Sequence, residues 1–328
     1  MIYINLKKED RTLPKTTNYT PILDLVSLPR INSYQITFHT SNDYQLYGAY
    51  LWCQQVGGNL YPLIQNLEIT VRNAIDNAAK KRFGDYWWKR IYCNKNINST
   101  NFMKKINSAI DKLNREWVDF EKKRLGLKPW DDLPASSIIP TWSHDKIIAA
   151  TDFSAWHYIL NKEFIAKNPG QNNKYLWPKS LSSAFKNYSS INPDQSQINK
   201  ELSDLIFDLR QYRNRLFHHE PLWVKAPTVT SPSTAIDTIR AKINNIEKVI
   251  CAIDTRILDI LNKVGLFSIA RRVCTIEELE IYTYVKKPER LTKKQSRLFR
   301  GVYSKSSKKN ESILLIHSDV SYILNKFR

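Results

Sequence analysis

Residues 213–220 (RNRLFHHE) bring together two arginines, an amide, two adjacent histidines and a carboxylate. Imidazole groups exchange protons near neutral pH, and guanidinium groups hold phosphate oxygens in a fixed geometry. RNA carries its own nucleophile, the 2′-hydroxyl, so its cleavage needs a base, an acid and a positive charge beside the reacting phosphate. The stretch offers groups for all three roles without a metal ion.

This stretch closes a long amphipathic helix that the sequence predicts for residues 192–220. The helix begins with an Asn-Pro pair, an N-cap followed by proline at the first helical position. Apolar residues then recur at steps of three and four: Ile198, Leu202, Leu205, Leu209, Tyr212 and Leu216. Asn214 and His218 lie on the opposite face as an i, i+4 pair. Pro221 ends the helix, because its ring clashes with the carbonyl four residues earlier.

The pattern Arg-Asn-x-x-x-His in residues 213–218 resembles the R-x(4–6)-H motif of the HEPN superfamily. The doubled histidine, followed by Trp223 four residues after His219, is similar to the Abi-like (abortive infection) branch of that superfamily. Residues 67–75 (LEITVRNAI) resemble a helix near the start of the same family, and residues 152–156 (DFSAW) resemble its middle element.

The resemblance implies an all-α, HEPN-like helical bundle with no cofactor and no metal. In the HEPN superfamily, two such motifs face each other across a two-fold homodimer interface and form a composite endoribonuclease site. On an ideal helix, Arg213 and either histidine are separated by roughly 120° to 140°, so one subunit alone would not complete the site. The resemblance also implies a toxin of phage defence, held inactive by an antitoxin protein or a non-coding RNA.

The candidate catalytic residues are therefore Arg213, Asn214, His218 and His219. The four-residue spacing from Arg213 favours His218 as the acid or base. Helical phase places His219 nearer the apolar stripe, where it would orient its neighbour or pack.

Arg215 and Glu220 are supporting candidates beside the histidines. Arg215 would hold either substrate phosphate or the carboxylate of Glu220. Glu220 would either orient a histidine or interact with neighbouring cations. The sequence leaves these alternatives open.

Glu68 and Arg72 stand four residues apart on a second predicted helix, and Asp76 follows after four more. One interpretation is a surface ladder of ion pairs, each contributing roughly a few tenths of a kcal/mol. In the other, Glu68 and Arg72 support a polar site shared with the histidine helix, since the apolar residues beside them point inward.

The 328-residue chain has 50 Lys and Arg against 31 Asp and Glu, a formal charge of +19, and 42% apolar residues, ample for a core. The charge favours a polyanionic partner, and RNA rather than a membrane surface, because no basic amphipathic helix dominates. The alternative is a lysine-rich protein from an AT-rich genome. With no signal peptide and no run of about 18 apolar residues, we expect a cytoplasmic protein.

Four cysteines stand far apart without C-x-x-C spacing: Cys53, Cys93, Cys251 and Cys274. They form neither a zinc site nor a disulfide framework, so we expect them to be reduced and partly buried.

Three parts make up the predicted chain. Residues 1–45 form an irregular N-terminal segment, because they are polar, carry three prolines and lack a steady period. Residues 46–265 form the HEPN-like helical domain, and residues 266–328 form a basic C-terminal extension.

Three strong apolar stripes predict the helices at the centre of that domain. One helix is expected from residue 60 to 83, separated by Gly57-Gly58 from an earlier helix over residues 43–56. Residues 233–264 should form the longest helix, antiparallel to the histidine helix. The helix of residues 192–220 should pack against the other two.

In the C-terminal extension, residues 286–309 hold ten Lys or Arg and one acid, with Phe299 and Tyr303 interleaved. Cations alternating with aromatic rings suit single-stranded RNA. The alternative is a solvated basic tail. The candidate RNA-binding residues are Lys286, Lys287, Arg290, Lys293, Lys294, Arg297 and Arg300. Residues 313–327 recover apolar character and are expected to dock back on the protein.

Two classes of function stay open. The first is a metal-independent endoribonuclease of abortive-infection type. The second is a catalytically inactive HEPN-type RNA-binding or scaffold module. The intact set of Arg213, Asn214 and His218 favours the enzyme, because a scaffold does not require these groups.

Overall fold

The computed structural model describes residues 17–223, 229–285, 292–302, 304, 313–317 and 320–324. The chain divides into two compact units, Met1–Tyr284 and Val285–Arg328.

Over its described residues the first unit is all-α, as the sequence predicts. Its α-helices are α1 (Thr20–Leu23), α2 (Leu28–Phe38), α3 (Asp43–Phe83), α4 (Asn101–Arg124), α5 (His144–Ala150), α6 (Phe153–Tyr158), α7 (Leu181–Ala184), α8 (Gln195–Phe217), α9 (Pro232–Ile253), α10 (Thr255–Lys263), α11 (Leu266–Val273) and α12 (Ile276–Tyr282). Short 3₁₀ turns cover Trp87–Lys89, Ile97–Ser99, Lys162–Phe164, Pro169–Gln171 and Tyr188–Ser190. The helical unit runs past the predicted boundary at residue 265, because α11 and α12 pack on α3.

Helix α3 is continuous over 41 residues. The prediction of two helices separated at Gly57-Gly58 is therefore wrong. A Cβ atom on Gly57 would stand 3.1 Å from Leu216 Cδ1, so this glycine lets α8 approach α3 closely rather than ending the helix. Pro62 also lies inside the helix.

Helices α3, α8 and α9 contact one another and enclose the core, in agreement with the predicted packing. The buried stripe of α8 consists of Ile198, Leu202, Ile206, Leu209 and Tyr212. Fully burying each large apolar side chain contributes about 1.5 to 3 kcal/mol. This packing fixes the end of α8 in position over the middle of α3.

The predicted helix over residues 233–264 is broken at Asp254, so its prediction as one element is wrong. Asp254 has an extended backbone, and its carboxylate accepts from the Arg256 N–H at 3.0 Å, which caps α10. Ion pairs with Arg256 and Lys186, both at 2.6 Å, hold the pKa of Asp254 below its usual range. The apolar period continues across this break, and the periodicity therefore did not reveal it.

The predicted irregular N-terminal segment is wrong for residues 28–38, which form α2. Pro29 lies in the first turn of this helix, where a proline needs no hydrogen-bonded N–H. Ile31, Tyr34 and Phe38 are buried against the core. Residues 1–16 lie outside the described part of the chain.

All four cysteines are free thiols, and Cys53 and Cys274 are buried. Burial raises the pKa of Cys53 to about 11 and that of Cys274 to about 12. Thiols with such values are weak nucleophiles at neutral pH. Among the described helices, none combines the length and the apolar character needed to cross a membrane.

The second unit contains helix α13 (Lys293–Leu298) and two antiparallel strands, β1 (Ile313–His317) and β2 (Val320–Leu324). Ile313 pairs with Leu324 and His317 with Val320. The sequence analysis did not predict this hairpin, because β1 is a continuous apolar run without polar alternation.

Candidate functional site

Helix α8 ends at Phe217, and two backbone hydrogen bonds cap its C-terminus. The N–H of His219 donates to the carbonyl of Leu216 at 3.2 Å, and that of Glu220 donates to the carbonyl of Arg215 at 3.1 Å. This pair of bonds is the Schellman motif, in which the residue after the C-cap adopts the left-handed conformation. His219 holds that position with φ 54°.

A left-handed backbone at a residue other than glycine costs roughly 1 to 2 kcal/mol. Glycine is the residue most often found at this position of a Schellman motif. His219 therefore stands where a glycine would be more stable.

Both imidazoles of the motif are exposed. The prediction that helical phase places His219 nearer the apolar stripe is wrong, because helical geometry ends at Phe217 and no longer sets the direction of the side chains that follow. His218 is the C-cap, and its N–H donates to the carbonyl of Asn214 at 2.9 Å. The side chain of Asn214 is half-buried.

Arg213 is held from α3. Its Nε donates to Glu68 Oε1 at 2.7 Å, and both side chains are partly buried. The guanidinium carbon lies 4.1 Å from the centroid of the Phe217 ring. The ion pair and the cation–π contact, each worth about 0.5 to 1 kcal/mol, restrict the arginine to one orientation.

Glu68 thus makes its ion pair across to α8 rather than along its own helix. Arg72 donates from Nε to Asn73 Oδ1 at 3.1 Å. Asp76, the next acid of the supposed ladder, is buried and is engaged elsewhere.

An open groove of about 260 Å³ lies beside this ion pair. Its lining comes from α3, α8 and the region around α6, and includes Tyr61, Glu68, Arg72, Trp156, Arg213 and Phe217. Residues from the segments 67–75, 152–156 and 213–218 all line this groove. Among the described residues, the groove lining does not include His218 or His219.

Arg215 and Glu220 form an ion pair close to the two histidines in the sequence. Arg215 donates from Nη1 to the carbonyl of Pro221 at 3.3 Å and lies 3.5 Å from the Glu220 carboxylate. Of the alternatives left open by the sequence, the structure has Arg215 paired with Glu220.

The sequence analysis missed a contribution from α2. Arg30 donates from Nη2 to the carbonyl of His218 at 3.3 Å, which satisfies a helix-terminal acceptor. The ring of Trp223 lies 4.9 Å from those of both Tyr34 and Phe38. The first turn of α2, marked by Pro29, was the only sequence signal for this support.

A second polar cluster, also missed, is buried between α3 and α5. Asp76 Oδ1 accepts from Trp87 Nε1 at 2.7 Å and from His144 Nε2 at 3.0 Å. His144 Nδ1 accepts the N–H of Tyr86 at 2.9 Å. With Nδ1 accepting this bond, Nε2 is the ring nitrogen that donates to Asp76, and the imidazole bridges two elements. No sequence signal joins residues so far apart in the chain.

The centroid of the His157 ring lies 5.1 Å from that of Phe207 and 5.2 Å from that of Tyr158. Burial, aided by the positive charge of Arg210, lowers the pKa of His157 to about 4. The imidazole is therefore neutral at physiological pH.

The candidate RNA-binding residues fall in the second unit. Lys293, Lys294 and Arg297 lie on α13 and, with Arg300, are exposed. Lys286, Lys287 and Arg290 lie outside the described residues.

Comparison of the chain with models of protein families, with curated protein sequences and with solved structures finds no significant match.

Proposed function

We propose that this chain is a metal-independent endoribonuclease of HEPN type, in which two copies of the 213–219 motif form one composite site. The observation that carries the proposal is an anchored guanidinium in an open groove, followed directly by two exposed imidazoles. A scaffold or a silent RNA-binding module requires none of these features.

The chemistry follows from the groups present. A neutral His218 removes the proton of the 2′-hydroxyl, and O2′ then forms a bond to phosphorus. The bond from phosphorus to O5′ breaks, and a protonated histidine gives O5′ its proton. The products are a 2′,3′-cyclic phosphate and a 5′-hydroxyl. Each positioned acid or base contributes about 10² to 10⁴ in rate.

In this scheme Arg213 neutralises the charge that develops on the non-bridging phosphate oxygens. Glu68 positions the guanidinium, since it fixes Nε and leaves the two terminal nitrogens for phosphate. Asn214 is available to hydrogen-bond substrate from the polar face of α8.

A second copy supplies what one chain lacks. His218 and His219 lie outside the lining of the groove that Arg213 borders. A two-fold axis through the ends of two α8 helices would bring the histidines of one copy toward the groove of the other. The physiological setting we propose is a phage-defence toxin controlled by an antitoxin protein or RNA.

The direct test is incubation of the purified chain with total RNA in the presence of EDTA. We expect cleavage by the wild type and none by His218→Ala, whose fold and RNA affinity should be nearly unchanged because the side chain is exposed. The matched control is His39→Ala, since His39 is also exposed and follows a helix. Activity that vanishes with chelator and returns with Mg²⁺ would refute the mechanism.

Mixing subunits tests the composite site separately. Arg213→Ala and His218→Ala proteins, each inactive alone, should regain partial activity when mixed, because the heterodimer keeps one pairing of an intact Arg213 with an intact His218 from the other chain. A monomer with full activity would contradict the dimeric arrangement.

A further inference from the structure

The groove beside Arg213 is lined by both hydrogen-bond acceptors and hydrogen-bond donors. Glu68 contributes a carboxylate, while Arg72 and Arg213 contribute guanidinium groups. Glu68 Oε1 accepts a hydrogen bond from Arg213 Nε, and Glu68 Oε2 has no hydrogen-bond partner among the described residues. A ligand that fits must therefore offer donors to the carboxylate and acceptors to the arginines.

Aromatic rings form one side of the same groove. Tyr61 and Phe217 are 45% and 40% exposed, and their centroids lie 5.4 Å apart. Exposed rings beside cations are the usual platform for an unstacked base of single-stranded RNA. Arg213, the proposed phosphate-binding cation, lines the same groove, so a base stacked there would lie beside that guanidinium.

The groove has a volume of about 260 Å³. This volume lies just below the range of about 300 to 1,000 Å³ found for pockets that hold drug-sized ligands. A single planar ring system is the matching size.

We propose that this groove is a base-specificity pocket that selects guanine in the RNA substrate, an inference that rests on the proposed ribonuclease function. Guanine presents two adjacent donors, N1–H and the N2 amine. One would donate to Oε2 of Glu68 and the other to the second lone pair of Oε1, which also accepts from Arg213. Its O6 and N7 accept from a guanidinium such as that of Arg72. Adenine places an acceptor, N1, where guanine has a donor, and the pyrimidines have no pair of adjacent donors with acceptors behind them.

The test uses short oligodeoxythymidines that carry one central guanine, hypoxanthine or adenine. They lack the 2′-hydroxyl, so binding to the wild-type chain is measured without cleavage. We expect guanine to bind about tenfold more tightly than hypoxanthine, which lacks the N2 amine and so loses one hydrogen bond to a charged acceptor. Adenine should bind no better than thymidine alone. Equal affinity for all three bases would refute the proposed selection of guanine by this groove.

Two variants localise the effect. Glu68→Gln should erase the difference between guanine and hypoxanthine, whereas Glu116→Gln, the same change on an exposed residue of α4, should keep it. Tyr61→Ala should weaken binding of every base about tenfold, because the stacking surface is removed. Thermal unfolding of each variant verifies the fold, and the wild-type ligand series stands even where a variant is unstable. A guanine preference that survives Glu68→Gln overturns the assignment.

Mapping of the cleavage sites tests the guanine pocket separately from the proposed ribonuclease activity. Cuts clustered next to guanine support both. Cleavage that is equally fast in guanine-free RNA overturns the pocket and leaves the ribonuclease intact. A chain that neither binds nor cleaves RNA overturns both.

Discussion

Replacing His219 by glycine should make the protein more stable and less active. The left-handed backbone of His219 costs roughly 1 to 2 kcal/mol, of which the greater chain entropy of glycine takes back about half. The free energy of unfolding should then rise by about 0.5 to 1 kcal/mol, or about 2 °C in Tm for a unit of this size. Urea unfolding and RNA cleavage are measured on the same preparation.

His39 provides a matched control, because it is exposed, follows α2 and has φ 51°. His39→Gly should give a similar gain in stability without loss of cleavage. A loss of stability in His219→Gly would mean that the imidazole packs rather than projects, and unchanged cleavage would remove His219 from the site.

Three further outcomes test the packing, the pH response and the basic extension. A Cβ on Gly48 would lie 2.9 Å from the carbonyl carbon of Tyr282, so Gly48→Ala should lower the free energy of unfolding by about 1 to 3 kcal/mol. A Cβ on Gly58 would have no atom within 4 Å, so Gly58→Ala should raise the free energy of unfolding by about 0.5 to 1 kcal/mol. Urea titrations measure both changes. Because the pKa of His157 is lowered in the folded chain, the unfolded chain binds a proton there between about pH 6.5 and pH 4 and the folded chain does not. The free energy of unfolding therefore falls as pH falls through that window. The expected loss is about 1 to 2 kcal/mol after allowance for solvent screening. His157→Phe should flatten this dependence in unfolding curves at several pH values, and an unchanged dependence would place its source elsewhere. Deleting residues 286–309 should reduce RNA affinity and lower the slope of log K against log salt by about 0.7 for each phosphate that the protein no longer neutralises, and an unaltered slope would identify a solvated tail.

Periodicity predicted the all-α class and the packing of the three central apolar stripes against one another, because it follows directly from which residues are buried. It failed where one residue has a local role that the pattern does not encode. Gly57 was interpreted as a helix end, yet its missing side chain serves the approach of Leu216. Asp254 interrupts an unbroken apolar stripe by capping the next helix. Pro29 suggested an irregular segment, although it lies in the first turn of α2.

The candidate site divides in the same way. The motif residues were identifiable from their types and spacing, whereas the spacing of Glu68 left a surface ladder and a shared polar site as open alternatives. The ion pair between Glu68 and Arg213, the groove and the hydrogen bond from Arg30 required the tertiary arrangement of α2, α3, α6 and α8. The orientation of His219 depended on where α8 stops, and helical phase cannot give that point.

The central claim is that RNA is cut by its own 2′-hydroxyl without a metal ion. The most direct measurement maps one cut by the purified chain in EDTA, then repeats it on the same RNA with a single 2′-deoxy nucleotide on the 5′ side of that cut. We predict a 2′,3′-cyclic phosphate or its 3′-phosphate hydrolysis product on the unmodified RNA, and no cut at that position on the substituted RNA. Cleavage of the 2′-deoxy substrate at an undiminished rate, or a product with a 5′-phosphate and a 3′-hydroxyl, would contradict the account.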